Sequence, residues 1–346
     1  MHRAAMLPLL LVVVMSVIVA EAAETELPLN QTFPAHDSLS IGEEKSDDAR
    51  QCLEGLSWKP ESFEVSVEPP DPAHTPEHGD ALIRFRSPIV SGDARNDRVA
   101  VEWYVARDSD GHPITAPAVV VVHESGSGMT VGRLFARGLQ RQGLHTFMVQ
   151  LPFYGHRRTG RKRPDDVNLL TVIRQAVADV RRTRDAVAVL PFVDTSHLAL
   201  QGTSLGGFVS ATVGSLDRGF DSVHLMLAGG NLYDLIQKGK RDTEKVRLEL
   251  DKAGLTGDRL RQLTMRIEPT RIAHRLDPSR VWLYSGILDT VVPIENAVAL
   301  AQAAGLDEKH HLKMLSDHYT GIIFLPNVLK YIGDQIKRMH KEQQAG

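Results

Sequence analysis

The sequence predicts an α/β protein with a mostly parallel central sheet covered by helices on both faces. From about residue 117 onward, short apolar runs alternate with longer stretches of helical spacing. Within that pattern, Ala118–Val122 is almost purely β-branched, as suits a strand buried on both faces. Composition fits: 346 residues with 42% hydrophobic content suffice for one large core or two modest ones. One Cys excludes an internal disulfide framework and a multi-cysteine metal site. With 40 Lys+Arg against 43 Asp+Glu, the net charge of -3 gives no global drive toward nucleic acid.

Met1–His2–Arg3 precedes an apolar run from Ala4 to Ala20, and Ala20 and Ala22 have A-x-A spacing. Residues 1–22 read as a secretory signal peptide, giving an exported product, periplasmic or extracellular, with no stable membrane insertion after cleavage. An uncleaved anchor is the alternative, because a run this short sits at the lower limit for spanning a bilayer. Residues 23–79 are polar, broken by Pro69, Pro70, Pro72 and Pro76, and read as a loosely packed arm or extension. The one alternating segment in it is Phe63–Val67.

The catalytic domain is expected over residues 80–345. Strands at Ala81–Phe85 and Val99–Val105 are separated by the turn-rich Ser91–Gly92–Asp93. After Ala118–Val122, Val131–Gln142 places Leu134, Phe135 and Leu139 on one helical side, and Gly143 stops it. Strand Thr146–Leu151 leads to helix Leu169–Leu190, with Val172, Ile173, Ala176, Val180 and Val187 at helical intervals. The alternation continues through strand His197–Gln201, helix Leu205–Ser215 and strand Ser222–Leu227. Strand Arg280–Ser285, helix Ile294–Ala303, strand His311–Leu315 and helix Ile322–Arg338 complete it. Residues 231–277 are charged and helical in pattern, longer than a crossover needs; they read as a crossover helix plus a small cap, or as a solvated helical hairpin.

Gly202–Thr203–Ser204–Leu205–Gly206 places G-x-S-x-G between a short strand and a helix. A tight strand-to-helix turn needs small residues around the serine; it exposes the hydroxyl and aims backbone donors at developing negative charge. A reactive serine needs a base, and the base a group that fixes its tautomer. Asp289 follows the strand ending at Ser285–Gly286, where an aspartate could equally cap the next helix. His318 is singled out among 15 histidines by its place after the last strand and before the last helix. Neighbouring Asp317 is poorly placed to orient it. The loop His123–Glu124–Ser125–Gly126–Ser127–Gly128 closes the central strand, and the N–H groups of Ser125 and Leu205 are the expected oxyanion donors. His123–Glu124 lacks the second histidine of a zinc H-E-x-x-H motif.

These residues together resemble the α/β-hydrolase superfamily from about residue 80 to the C-terminal helix. The Gly202–Gly206 segment is similar to its nucleophile elbow, Asp289 with Val292–Pro293 to its acid-bearing turn, and His318–Tyr319 to its terminal histidine segment. Val121–Val122–His123–Glu124 with Gly126 resembles the oxyanion region of the dienelactone-hydrolase-like branch, and Leu151–His156 the loop after the next strand. That branch proper uses a cysteine nucleophile, whereas position 204 is Ser and the single Cys is the remote Cys52. The resemblance implies hydrolysis of a small-molecule carboxylic ester through Ser204, His318 and Asp289 and an acyl-enzyme, with no cofactor or metal. A peptidase or thioesterase of the same fold, or a non-enzymatic binding protein, are the competing readings. Substrate-binding candidates are Tyr154, Glu124, and Arg157 and Arg158 of the run His156–Arg163, which carries five Lys/Arg in eight residues. That run selects anionic substrates or is a solvated basic loop, and Glu124 serves substrate or the loop itself.

Overall fold

The structure, a computed structural model, describes residues 26–70, 78–160 and 169–345. The apolar run and cleavage site at the N-terminus lie outside the described residues, as do residues 161–163 of the basic run. Among the described residues no helix is long and apolar enough to cross a membrane.

A ten-stranded sheet runs through the molecule. Its strands are β1 (Thr32–His36), β2 (Ser62–Glu68), β3 (Ala81–Arg86), β4 (Arg98–Tyr104), β5 (Ala116–Val122), β6 (His145–Gln150), β7 (Val193–Thr203), β8 (Ser222–Met226), β9 (Val281–Gly286) and β10 (His311–Met314). The order is β1-β2-β3-β4-β6-β5-β7-β8-β9-β10. Pairing is antiparallel from β1 to β6 by way of β4, and parallel from β6 to β10. The mostly parallel sheet covered on both faces is therefore as expected.

Every residue of β5 is buried, which accounts for its uninterrupted apolar run. Its alternate residues feed two cores. Ala118, Val120 and Val122 join the core under α3 (Leu169–Ala188), α4 (Leu205–Asp217) and α8 (Ile294–Ala303). Val119 and Val121 join the core under α2 (Thr130–Gln140) and α9 (Leu325–Ala345). The chain leaves β5 through α2 toward β6, then crosses by α3 on the opposite face to β7. The strand order thus reverses beside β5, and loops leaving β5 and β7 diverge to opposite faces. Ligands of open α/β sheets bind in the crevice opened at such a switch point.

A loosely packed arm is not what residues 26–70 form. β1 and β2 extend the sheet, and α1 (Asp47–Leu56) packs on the core shared with α3. Asp37 receives Arg182 of α3 at 2.9 Å with both side chains fully buried. Ser38 donates to Asp185 through its hydroxyl at 2.6 Å and its N–H at 2.8 Å, and Arg181 bridges Asp185 and Asp217. Most polar residues of the N-terminal segment do face solvent, but Asp37 is buried in its ion pair with α3. Cys52 is buried in α1, and burial pushes its thiol up to about 11. Residues 231–277 contain α5 (Leu232–Lys238), α6 (Asp242–Lys252) and α7 (Gly257–Met265).

Candidate active site

Ser204 stands between β7 and α4 with φ 53° and ψ -115°, a strained conformation for a residue with a side chain. The strain is held by backbone packing. A Cβ at Gly202 would lie 2.2 Å from Gly206 O, and one at Gly206 would lie 2.2 Å from Val122 O and 2.6 Å from His123 O. Glycine at 206 therefore lets the turn press against the end of β5, bringing the start of α4 beside the Ser125 loop. Leu205 is the first residue of α4, so its N–H has no intrahelical acceptor. Met129, Phe153 and Leu227, in the loops leaving β5, β6 and β8, also have positive φ. Backbone strain of this kind concentrates at functional sites.

His318 Nε2 lies 3.0 Å from Ser204 Oγ. On the other side of the ring, Nδ1 lies 2.6 Å from Asp289 Oδ2. Since an ionised carboxylate only accepts, Nδ1 carries the proton and Nε2 presents its lone pair to the serine hydroxyl. Asp289 Oδ1 accepts from the N–H groups of Val291 at 2.8 Å and Val292 at 3.0 Å. Asp289 thus ties down its own turn with one oxygen and meets the imidazole with the other; it does not cap the next helix, α8, whose N-cap Pro293 receives no side-chain bond. Asp317 is occupied by the turn it begins, accepting from Tyr319 N, Thr320 N and Thr320 Oγ1.

The loop after β5 is braced from beneath by His123. Its ring sits between Glu124 O, 2.5 Å from Nδ1, and Leu151 N–H, which donates to Nε2 at 3.1 Å. Full burial lowers its pKa to about 4, so it is a neutral strut between the loops leaving β5 and β6. Tyr154 packs edge-on against that ring and donates its hydroxyl to Ser125 O at 2.9 Å. Tyr154 therefore supports the Ser125 loop.

Two other substrate-binding candidates, Glu124 and Arg157, have partners within the protein. The Glu124 carboxylate accepts from Val131 N at 3.2 Å and Gly132 N at 3.0 Å, satisfying the first turn of α2. Arg157 is completely buried and donates to Asn96 O, Gln150 O and Asp179 Oδ2. A charge in the middle of a basic run had looked solvent-facing because its carboxylate partner comes 22 residues later. Arg158 is exposed.

Sequence reasoning missed how the insertion meets the site. Lys240 N–H donates to Thr290 O and Thr243 Oγ1 to Val291 O, each at 2.8 Å, so the insertion grips the loop that carries Asp289. Tyr319 OH donates to Asp242 Oδ2 at 2.7 Å across 77 residues of chain. The only local sign was an aromatic residue directly after His318.

No protein-family model matches the sequence, and no curated protein does. Solved structures are similar in shape. Acetyl xylan esterase from Paenibacillus sp. R4 superimposes with a TM-score of 0.59 at 11% identity, covering 86% of this chain and 96% of that one. Acetyl xylan esterase 1 from Thermoanaerobacterium sp. JW/SL YS485 gives 0.56 at 14% identity, covering 84% and 96%. An acylaminoacyl peptidase gives 0.53 at 13% identity, covering 80% of this chain and 41% of the peptidase. At such identities the likeness is one of fold. The chain has the α/β-hydrolase fold, with Ser204 on the turn between a central strand and its helix.

Proposed function

We propose that the protein is a serine hydrolase that cleaves carboxylic esters. The observation that carries this reading is the unbroken chain of contacts from Ser204 Oγ through both nitrogens of His318 to Asp289, at 3.0 and 2.6 Å. In the proposed reaction His318 Nε2 takes the hydroxyl proton as Ser204 Oγ attacks the ester carbonyl. Asp289 keeps the other nitrogen protonated and stabilises the imidazolium that forms. The Leu205 and Ser125 N–H groups receive the oxyanion; a donor in this position is typically worth about 3 kcal/mol of barrier. His318 returns its proton to the departing alkoxide, leaving an acyl group on Ser204. It then draws a proton from water, which attacks the acyl carbon and restores the serine. The N-terminal apolar run makes export part of the same proposal.

The test is labelling with a fluorophosphonate, followed by peptide mapping and an ester panel. Modification at Ser204 and turnover that falls at least about 10³-fold in Ser204→Ala are the expected results. Full esterase activity in that variant would overturn the assignment, and no labelling of folded protein would favour a binding role. Acetylated saccharides belong in the panel because two proteins of similar fold are named for them. Thioester and peptide substrates in the same panel separate the competing hydrolase readings.

A further inference from the structure

The four residues 240–243, at the start of α6, touch both loops that carry the groups acting on Ser204. On the acid side are the bonds from Lys240 N–H to Thr290 O and from Thr243 Oγ1 to Val291 O. On the histidine side, Tyr319 OH donates to Asp242 Oδ2 at 2.7 Å. The Arg241 guanidinium lies over the Tyr319 ring, 5.1 Å from its centroid, and 3.8 Å from the Asp317 carboxylate. The Tyr319 ring in turn meets the His318 ring nearly perpendicularly, centroids 5.7 Å apart.

Two observations say that these contacts matter. Arg241 has φ 55° and ψ -111°, a conformation that a non-glycine residue keeps only where its surroundings over-determine it. The histidine loop also has little apolar support of its own: Tyr319 is 45%, Ile322 48% and Ile323 73% exposed. Asp242 is a strong anchor, because bonds from Lys245 and Tyr319 hold its carboxyl below the usual carboxylate range. A hydroxyl donating to an ionised carboxylate makes one of the stronger hydrogen bonds.

We propose that Tyr319 is a positioning residue for His318 and that Asp242, on the insertion, is its anchor. The insertion is then part of the frame of the active site and not a detached hairpin. The inference rests on the hydrolytic reading of Ser204, His318 and Asp289. It assigns no contact with substrate to either residue; the bond sets where the imidazole sits relative to Ser204 Oγ.

The test uses the full chain and a neutral aryl ester. A misplacement of about 1 Å at a reacting group can cost ~10²-fold, so freeing one side of this loop should cost less, about 5- to 20-fold in kcat. Tyr319→Phe and Asp242→Ala should each show that loss with KM within about twofold and a melting temperature lowered by no more than a few degrees, as the loss of one hydrogen bond implies. The double variant should fall no further than either single one, because both remove the same bond. Asp242→Asn, whose amide oxygen still accepts from Tyr319, should recover most of the rate. The fluorophosphonate labelling rate of Ser204 should follow kcat across the series. A wild-type kcat in Tyr319→Phe, losses that multiply in the double variant, or a rise in KM alone would overturn the inference and leave the hydrolytic reading standing. Wild-type protein that neither labels at Ser204 nor turns over any ester overturns both.

Discussion

Around Ser204 the chain is held by backbone against backbone, whereas around His318 it is held by side chains reaching in from elsewhere. The elbow leaves no room for a methyl group at Gly202 or Gly206, and the atoms that fill the space are mostly carbonyls of β5, of α4 and of the loop after β5, with the Ser210 hydroxyl beside Gly202. The carbonyl contacts come with the backbone itself and cannot be adjusted by a rotamer. The histidine loop has a carboxylate on one side of its ring and, one residue on, a tyrosine bonded to a helix from the insertion. Its anchors are few and replaceable one at a time. Substitutions around Ser204 should therefore act through folding and those around His318 through rate.

Asp289→Asn should produce the largest loss of activity with the fold intact. The amide oxygen still accepts from Val291 and Val292 N–H, so the turn survives. The amide NH₂ then faces His318 Nδ1 and favours the tautomer with the proton on Nε2, which cannot accept from Ser204. Loss of the correct tautomer in such a triad costs ~10⁴ in kcat. Steady-state kinetics with a neutral ester, beside a melting curve, would check it. A loss below tenfold would mean that the 2.6 Å contact organises the turn and not the base.

Gly206→Ala reverses the pattern. The added carbon would meet Val122 O at 2.2 Å, inside any contact that real atoms tolerate, and that carbonyl belongs to a strand buried along its whole length. Overpacking normally costs about 1–3 kcal/mol, and rigid backbone on both sides should take this site to about 4 kcal/mol or beyond. Urea titration reads it directly, with absence of soluble protein as the extreme. Near-wild-type stability would show that the elbow can open, removing the contrast with the histidine loop.

What the sequence discloses follows the same division. Strand β5 was readable because burial on both faces demands an apolar residue at every position. The elbow was readable because its steric demand falls on two residues only four positions apart, Gly202 and Gly206. The chain order of Ser204, Asp289 and His318 followed from the strand ends they occupy. In residues 26–70 only the alternating Phe63–Val67 was readable; Asp37 meets its partner Arg182 across 145 residues and each looks like a solvated charge when read alone. Arg157 misled for the same reason, with Asp179 supplying the opposite charge out of sight. Nothing local marks Asp242 as a partner of Tyr319. Apolar burial writes a periodicity into the chain; a polar bond between distant elements writes none.

Tyr154→Phe is the smallest of these effects and the closest test of the comparison, since Tyr154 does for the Ser125 loop what Tyr319 does for the His318 loop. The variant removes the hydroxyl bond to Ser125 O and keeps the ring against His123. His123 still bridges Glu124 O and Leu151 N–H, and Glu124 still holds the first turn of α2. With those contacts in place, the change should cost about 1 kcal/mol of stability, the usual worth of one hydrogen bond. The Ser125 N–H should shift little, so kcat should fall no more than about threefold, measured beside Tyr319→Phe on the same ester. If Tyr154→Phe lost as much rate as Tyr319→Phe, the Ser125 loop would have to be held from outside as the His318 loop is. The backbone-built side of the site would then end at Gly206 and not reach Ser125.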